Sequence, residues 1–330
     1  MEYYAHIRDG HGIVTHPLAN VVYGGQPGIP APFLFRIVEN QLVITNILDD
    51  SLASSLNIKR GDIILERNGA NVIDELNEKR KYWAASNYDA QSGYIINGYL
   101  RDSVGKKTGL RLKDINGNIK EVMLPRYRLT KENREKAIAL VQKGNDKPML
   151  YFITKEIGYV NMGLLATTQV DSMFNTFRNT KAIIFDFRRH PRESARLIAA
   201  RLTEKNPFYR DENLPGPHLI SKENERKGFI YNGKAVCLMY ENTQSHAEAS
   251  VSWLKNAGAI SIGNHTAGAN GNTENFFIPG GIRLAFTAFK ASMQGKGIQP
   301  DILVTPTIKG ISLRKDEILD RAIKYLETGK

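Results

Sequence analysis

Val236-Cys-Leu-Met-Tyr-Glu-Asn-Thr-Gln-Ser-His-Ala-Glu-Ala-Ser-Val-Ser-Trp-Leu254 is the stretch that decides the fold class. It reads as a strand, a sharp turn and then a helix. Outward from this unit the same texture recurs. Ile157-Gly-Tyr-Val-Asn-Met-Gly163 and Ala182-Ile-Ile-Phe-Asp-Phe187 read as buried strands, with helices expected over 169–178, 192–203 and 244–257. Strands alternating with helices predict parallel βαβ crossovers, whose functional residues sit where strands end. Ser245 falls at such an end, at a helix N-terminus where amide N–H groups and the helix dipole favour negative charge. A serine there is also an ordinary N-cap, and position alone leaves both roles open.

Upstream the texture differs. Residues 17–33 are dense in turn formers, among them Pro17, Gly24, Gly25, Pro27, Gly28, Pro30 and Pro32, and predict an extended linker. Short β-rich runs follow: Phe33-Leu-Phe-Arg-Ile-Val38, Leu42-Val-Ile-Thr-Asn-Ile47 and Asp62-Ile-Ile-Leu-Glu66, then a helix over 75–86 and strands near 93–100 and 119–124. Gly61 permits a turn, Ile63 and Leu65 are expected to point inward, and Asn68-Gly69 supplies the positive-φ pair of a tight reversal. An amphipathic helix is expected over 129–144, with Thr130 as N-cap and Gly144 as its end. The chain thus reads as α+β overall: a segment and linker over 1–32, a β-rich domain over 33–128 and an α/β domain over 129–330. At 330 residues, two cores are expected rather than one. The opening Met-Glu-Tyr-Tyr-Ala-His reads as the tail of a helix already under way, so an upstream segment is expected.

Composition removes several functions. The 45 Lys+Arg against 34 Asp+Glu give +11, but the basic residues are scattered without an aromatic-interleaved stripe, so nucleic acid is not an expected partner. Cys237 is the single cysteine, which forbids an intramolecular disulfide, and its apolar neighbours predict a buried strand residue. Seven histidines without metal-ligand spacing, and Gly24-Gly25 or Gly268-Ala-Asn-Gly271 without a strand–helix phosphate context, imply no metal or cofactor. No apolar run approaches the roughly 20 residues that cross a bilayer.

Two resemblances extend this reading. Ser51-Leu-Ala-Ser-Ser-Leu-Asn-Ile-Lys-Arg-Gly-Asp-Ile-Ile-Leu-Glu-Arg-Asn-Gly69 resembles the PDZ pattern, which implies a PDZ-like domain that binds extended peptides by strand addition. Thr243-Gln-Ser-His-Ala-Glu248 resembles the nucleophile turn of the carboxy-terminal processing and tricorn-core serine peptidases. Ile183-Ile-Phe-Asp-Phe-Arg188, Ile262-Gly-Asn-His-Thr-Ala-Gly-Ala-Asn-Gly271 and Gly297-Ile-Gln-Pro-Asp-Ile302 stand in that family's order.

The family resemblance implies a ClpP/crotonase-like βαβ catalytic domain with Ser245 as nucleophile. In the tricorn-like branch a histidine ahead of the PDZ-like domain is the base, which here implies His11 of Asp9-Gly-His11, with Glu274 as supporting carboxylate. The backbone amides of His246 and of Arg192, or alternatively Glu193, are the implied oxyanion donors. It implies peptide or unfolded-protein substrates and an exported, periplasmic or extracellular location, with no cofactor.

Two departures qualify the resemblance. Asn270 stands where the processing branch has its lysine base and cannot take a proton, and Asp186-Phe-Arg-Arg-His-Pro-Arg-Glu193 lacks the family's glycine pair. His246 is a rival base whose side chain should point away from Ser245. Glu248 matches a capping box, and Glu274 has pairing with Arg283 as its other reading. A serine endopeptidase is therefore expected, with a catalytically inactive peptide-binding homologue and a hydrolase of a non-peptide acyl substrate as alternatives.

Overall fold

The computed structural model describes residues 2–16, 32–97, 99, 107–125, 130–140, 147–208, 228–288 and 295–330. The chain forms two compact units and passes between them more than once. The first holds Met1–Ile138, Glu274–Phe286 and Thr305–Glu317; the second holds Ala139–Thr273, Thr287–Val304 and Ile318–Lys330. A single boundary near residue 129 does not express this partition, because two later segments return to the first unit. Of the linker expected over 17–33, residues 17–31 lie outside the described residues, as does Gly144, and Phe33 already begins a strand.

The first unit contains β1 (Ile13–Thr15), β2 (Phe33–Val38), β3 (Gln41–Ile47), β4 (Ile63–Arg67), β5 (Ala70–Asn71), β6 (Thr108–Lys113) and β7 (Ile119–Leu124). One sheet runs β2-β3-β4-β6-β7, antiparallel throughout, with β5 folded back on β4. Asn68 and Gly69, at φ 51° and 82°, form the expected two-residue reversal that pairs Arg67 with Ala70.

One local expectation is met on an unforeseen face, with Ile63 and Leu65 pointing into a smaller core, and another fails. Ile64, not Ile63, enters the main core with Phe33, Leu42, Ile44 and Leu112. Ile63 and Leu65 serve the opposite face, which packs on Ile308 and Ile311 of the helix Ile308–Ser312. With both faces covered, alternation no longer marks the inside. The strand expected near 93–100 is instead the helix Tyr88–Asn97. Asn87 Oδ1 accepts the Ala90 amide at 2.9 Å, as an N-cap does, and burial of Ala90, Ile95 and Ile96 overrides their neighbours' β propensity. Thr130 does cap: its Oγ1 accepts the Asn133 amide at 3.1 Å ahead of the helix Lys131–Ile138.

The second unit is built on β8 (Leu150–Thr154), β9 (Ile157–Asn161), β10 (Ala182–Asp186), β11 (Lys234–Met239) and β12 (Ile260–Gly263). Two strands then join the first unit, β13 (Thr273–Ile278) and β14 (Ile282–Thr287), where they form a sheet of order β1-β14-β13. The chain returns with β15 (Ile302–Leu303), giving the order β15-β12-β11-β10-β9-β8. All neighbours are parallel except β8 on β9, as the alternating pattern required.

One face of this sheet, with Val160, Phe185, Cys237 and Met239, packs on residues of the helices Val170–Thr176, Ala195–Ala199 and His246–Asn256. The other, with Tyr159, Ile184, Val236, Leu238 and Ile262, is covered by Ile318, Leu319 and Ala322 of the helix Glu317–Thr328. Each such side chain contributes about 1.5–3 kcal/mol on burial. Registers Asp186 with Leu238 and Leu238 with Ile262 bring the C-terminal ends of β10, β11 and β12 side by side.

β12 closes against β11 at Gly263, whose φ is +134° and whose added Cβ would lie 1.9 Å from the Met239 carbonyl oxygen. Both the backbone region and the contact exclude a side chain. Gly263→Ala is expected to cost about 2 kcal/mol in urea unfolding, from strain at that φ and displacement of the strand end. A change under about 0.5 kcal/mol would show that the strand ends are free to part.

Candidate active site

The turn after β11 is fixed by Thr243. Its amide donates to the Tyr240 carbonyl at 2.8 Å, its Oγ1 accepts the Tyr240 amide at 3.1 Å, and the same hydroxyl donates to the Phe187 carbonyl at 3.2 Å. These bonds join the β11 turn to the loop after β10. The chain then reaches Ser245 at φ 59° and ψ −128°, a conformation that L residues other than glycine avoid. Such strain costs on the order of 1–3 kcal/mol and persists where neighbours over-determine it, typically at functional sites.

Here the neighbours are visible. The Ser245 amide donates to the Ala269 carbonyl at 2.8 Å, while its carbonyl accepts from Glu248 and Ala249 at 2.8 and 3.2 Å. The side chain makes no capping bond to the helix His246–Asn256 that it precedes, so its hydroxyl is not committed as an N-cap. The next amide, that of His246, has no hydrogen-bond partner among the described residues. A hydroxyl on a strained strand-to-helix turn, followed by an open amide at a helix N-terminus, is the arrangement that acyl transfer uses.

Glu248 does not complete a capping box, since the serine hydroxyl half is absent. It is fully buried and reaches the loop after β12, accepting the amides of Gly268 and Ala269 at 2.8 Å each and the hydroxyl of Thr266. Burial raises its pKa, and these donors oppose the shift. Thr266 Oγ1 in turn accepts the Ile298 amide at 2.7 Å. One carboxylate therefore holds the segment whose Ala269 carbonyl anchors Ser245, and Asn270 follows directly.

The loop after β10 starts from a buried network. Tyr159 OH donates to Asp186 Oδ2 at 2.6 Å, and Arg188 grips the same carboxylate through Nε at 2.9 Å and Nη2 at 2.6 Å. Burial and the Asp186 charge push the Tyr159 hydroxyl up, so it remains a donor. Farther along, the Arg192 amide donates to the Met162 carbonyl at 3.3 Å. That bond corrects the expectation for Arg192 as an oxyanion donor: its N–H is already used. The Glu193 amide has no hydrogen-bond partner among the described residues.

The His246 ring is engaged by side chains of its own helix and of the loop after β10. It packs on Trp253 at 5.6 Å and His190 at 6.1 Å between ring centroids, with Nε2 3.5 Å from Glu193 Oε2. Burial lowers its pKa against the opposing pull of Glu193. Cys237 is fully buried in β11, and burial pushes its thiol up, which removes it as a nucleophile.

His11 and Glu274 both lie in the first unit. His11 is half-buried in a tight loop where its amide donates to Asp9 Oδ1 at 2.9 Å and Gly12 N–H closes on the Asp9 carbonyl at 2.9 Å. Burial lowers its pKa more than the nearby Asp9 raises it, which favours the neutral imidazole. Glu274 is exposed at the start of β13. Arg283, its expected partner, bonds Asn275 Oδ1 instead, at 2.7 Å.

The profile of Peptidase family S41 matches residues 156–304, the span from β9 to β15 that includes the Ser245 turn. Residues 156–304 are thus similar to an S41 peptidase domain. The match indicates a serine-type peptidase. No curated protein matches the sequence of the chain.

Among solved structures, mature CPAF complexed with lactacystin aligns with this chain at a TM-score of 0.69 and 14% identity, covering 100% of this chain and 88% of that one. Mature CPAF alone gives 0.67 at 14% identity, covering 100% and 87%. The photosystem II D1 C-terminal processing protease gives 0.45 at 13% identity, covering 94% and 85%. At these identities the CPAF likeness is one of fold.

Proposed function

We propose that this chain is a serine endopeptidase that cuts peptides or protein C-terminal tails through an acyl-enzyme at Ser245. The observation that carries the reading is the left-handed Ser245 whose hydroxyl caps nothing and is followed by an open His246 amide. In the first step the hydroxyl attacks the scissile carbonyl, and its proton passes to a base. The amides of His246 and Glu193 hold the oxyanion, and the leaving amine takes the proton from that base. Water then repeats the sequence on the acyl-enzyme.

His11 is our candidate base and Glu274 our candidate supporting carboxylate. Their assignment rests on motif order in the sequence and on an imidazole that burial keeps neutral. We also assign the ClpP/crotonase-like lineage to the second unit and a PDZ-like, peptide-presenting role to the first. The positive-φ Asn68-Gly69 reversal and the antiparallel sheet support the latter reading.

The direct test is intact mass after treatment with a fluorophosphonate serine-hydrolase label. One adduct per wild-type chain, mapped to the Ser245 peptide, is the expected result. A folded protein that takes no label would favour the inactive peptide-binding reading, to which Asn270 and the engaged Arg192 amide point.

A base must be neutral to accept a proton, and the folded pKa of His11 lies below the ordinary histidine value of about 6.5. Lowering the pH through that value protonates the imidazole and removes the base. The rate kcat/KM should therefore hold level from neutral pH down past about 6.5, then fall tenfold per unit. This acid limb should vanish from the residual rate of His11→Gln; an unchanged limb in that variant would assign the base elsewhere.

A further inference from the structure

The turn that carries His11 is held from outside by side chains distant in the sequence. Asp9-Gly-His-Gly12 closes as a reverse turn, with the Gly12 amide on the Asp9 carbonyl at 2.9 Å and the His11 amide on Asp9 Oδ1 at 2.9 Å. Two hydroxyls then grip Gly10. Its amide donates to Ser86 Oγ at 2.9 Å, and its carbonyl accepts from the Tyr94 hydroxyl at 3.1 Å. Both side chains belong to one stretch of the first unit, Tyr94 on the helix Tyr88–Asn97 and Ser86 just ahead of it. That helix is itself anchored, since Ile95 and Ile96 are buried in the core with Phe33 of β2.

These bonds act on the peptide groups that flank His11. The Gly10 carbonyl and the His11 amide are the two ends of one planar group, so Tyr94 and Asp9 pin that plane between them. The next plane, between His11 and Gly12, is pinned through the Gly12 amide. With both planes held, φ and ψ of His11 are held, and with them the direction of its Cα–Cβ bond. The bonds to Asp9 set the shape of the turn; Ser86 and Tyr94 set where that shape points. There is little slack around it. A Cβ on Gly12 would lie 2.7 Å from the Ala84 Cβ, and on the flanking chain the Tyr4 hydroxyl donates to the Ala285 carbonyl while Ile13 pairs with Ala285.

We propose that Ser86 and Tyr94 are positioning residues for the base His11, aiming its imidazole by holding the Gly10 peptide groups; this rests on the peptidase reading above and on its choice of base. Neither side chain meets the reacting atoms in this scheme. A misplacement of about 1 Å in a reacting group costs up to about 10²-fold in rate, so two hydrogen bonds on the turn register mainly in kcat.

The test measures hydrolysis of a quenched-fluorescence peptide by Tyr94→Phe, Ser86→Ala and Tyr88→Phe proteins, each made also in the His11→Gln background. Tyr94→Phe and Ser86→Ala should each lower kcat about tenfold, with KM within about twofold of wild type. Neither should lower the residual rate of His11→Gln further, because an absent base has no position to lose. Tyr88→Phe, exposed on the same helix, should match wild type. The imidazole reports the same event without turnover. A loosened turn exposes it, so its proton NMR titration should move up toward the ordinary value of about 6.5, and the acid limb of kcat/KM should move with it.

Wild-type kcat in both single variants, or a tenfold loss that persists in the His11→Gln background, would overturn the proposal. If Tyr94→Phe melts far below wild type, Ser86→Ala decides alone. Failure of the underlying readings shows separately and takes the proposal with it: wild type that gains no label at Ser245 is no serine peptidase, and His11→Gln at the wild-type rate places the base elsewhere.

Discussion

Ser245→Ala is expected to lower peptide hydrolysis by about 10⁴-fold or more while the protein melts as the wild type does. The two halves of this result have separate causes. Activity falls because the attacking hydroxyl is gone and the thiol of Cys237, fully buried and pushed up, does not replace it; the residual rate comes from binding and the oxyanion amides. Stability holds because the Ser245 hydroxyl makes no capping bond, so its removal leaves no amide newly unpaired. The backbone bonds from Ser245 to Ala269, Glu248 and Ala249 are untouched, and alanine has the same Cβ to place at positive φ. The change in unfolding free energy should stay within about 0.5 kcal/mol. The measurement is hydrolysis of a quenched-fluorescence peptide alongside a thermal melt. Activity within tenfold of wild type would sink Ser245 as the nucleophile, whereas a large loss of stability would mean that the hydroxyl is structural after all.

Much of this arrangement is legible in the sequence where local chemistry has one solution. Asn68-Gly69 announces a tight reversal because two consecutive positive-φ positions suit almost nothing else, and the structure shows both. The apolar run 236–239 followed by turn formers and a helical stripe gives β11, the turn and the helix His246–Asn256 within a residue or two. Expectations fail where a segment's neighbours decide. Tyr94, Ile95 and Ile96 favour a strand by propensity, yet an Asn87 cap and a buried face make them helical. The helix foreseen over 192–203 shrinks to Ala195–Ala199, because the residues ahead of it form the loop whose Arg192 amide is tied to Met162. At the site, Ser245 is found from the strand–turn–helix unit, but what its hydroxyl does is not, since a capping serine and an uncommitted one have the same sequence.

Glu248 is the sharpest case of a role that spacing only half reveals, since its carboxylate accepts from the Ser245 backbone as a capping box requires but also holds the loop after β12, and its replacement carries the second large expected effect. Glu248→Ala should cost about 3–5 kcal/mol in unfolding free energy and lower kcat by roughly 10²–10³-fold, although Glu248 contacts no reacting atom in the proposed mechanism. Truncation strands three buried donors at once, the amides of Gly268 and Ala269 and the hydroxyl of Thr266. Each unsatisfied group costs about 1–3 kcal/mol, less any relief as the loop relaxes. That relaxation is what reaches the chemistry. The Ala269 carbonyl holds the Ser245 amide, and the positive φ of Ser245 persists only while such bonds outweigh its strain. Once the carbonyl moves, Ser245 can relax toward an ordinary N-cap whose hydroxyl turns to its own helix.

Glu248→Gln separates this account from a general loss of packing. Glutamine keeps the volume and one acceptor oxygen but aims an NH₂ at donors, so it should be destabilised by about half as much and show reduced labelling at Ser245. KM should change little in both variants, because the defect lies in the attacking group and not in peptide binding. If either variant keeps wild-type kcat while losing stability, Glu248 supports the fold alone and the geometry of Ser245 is set by other bonds.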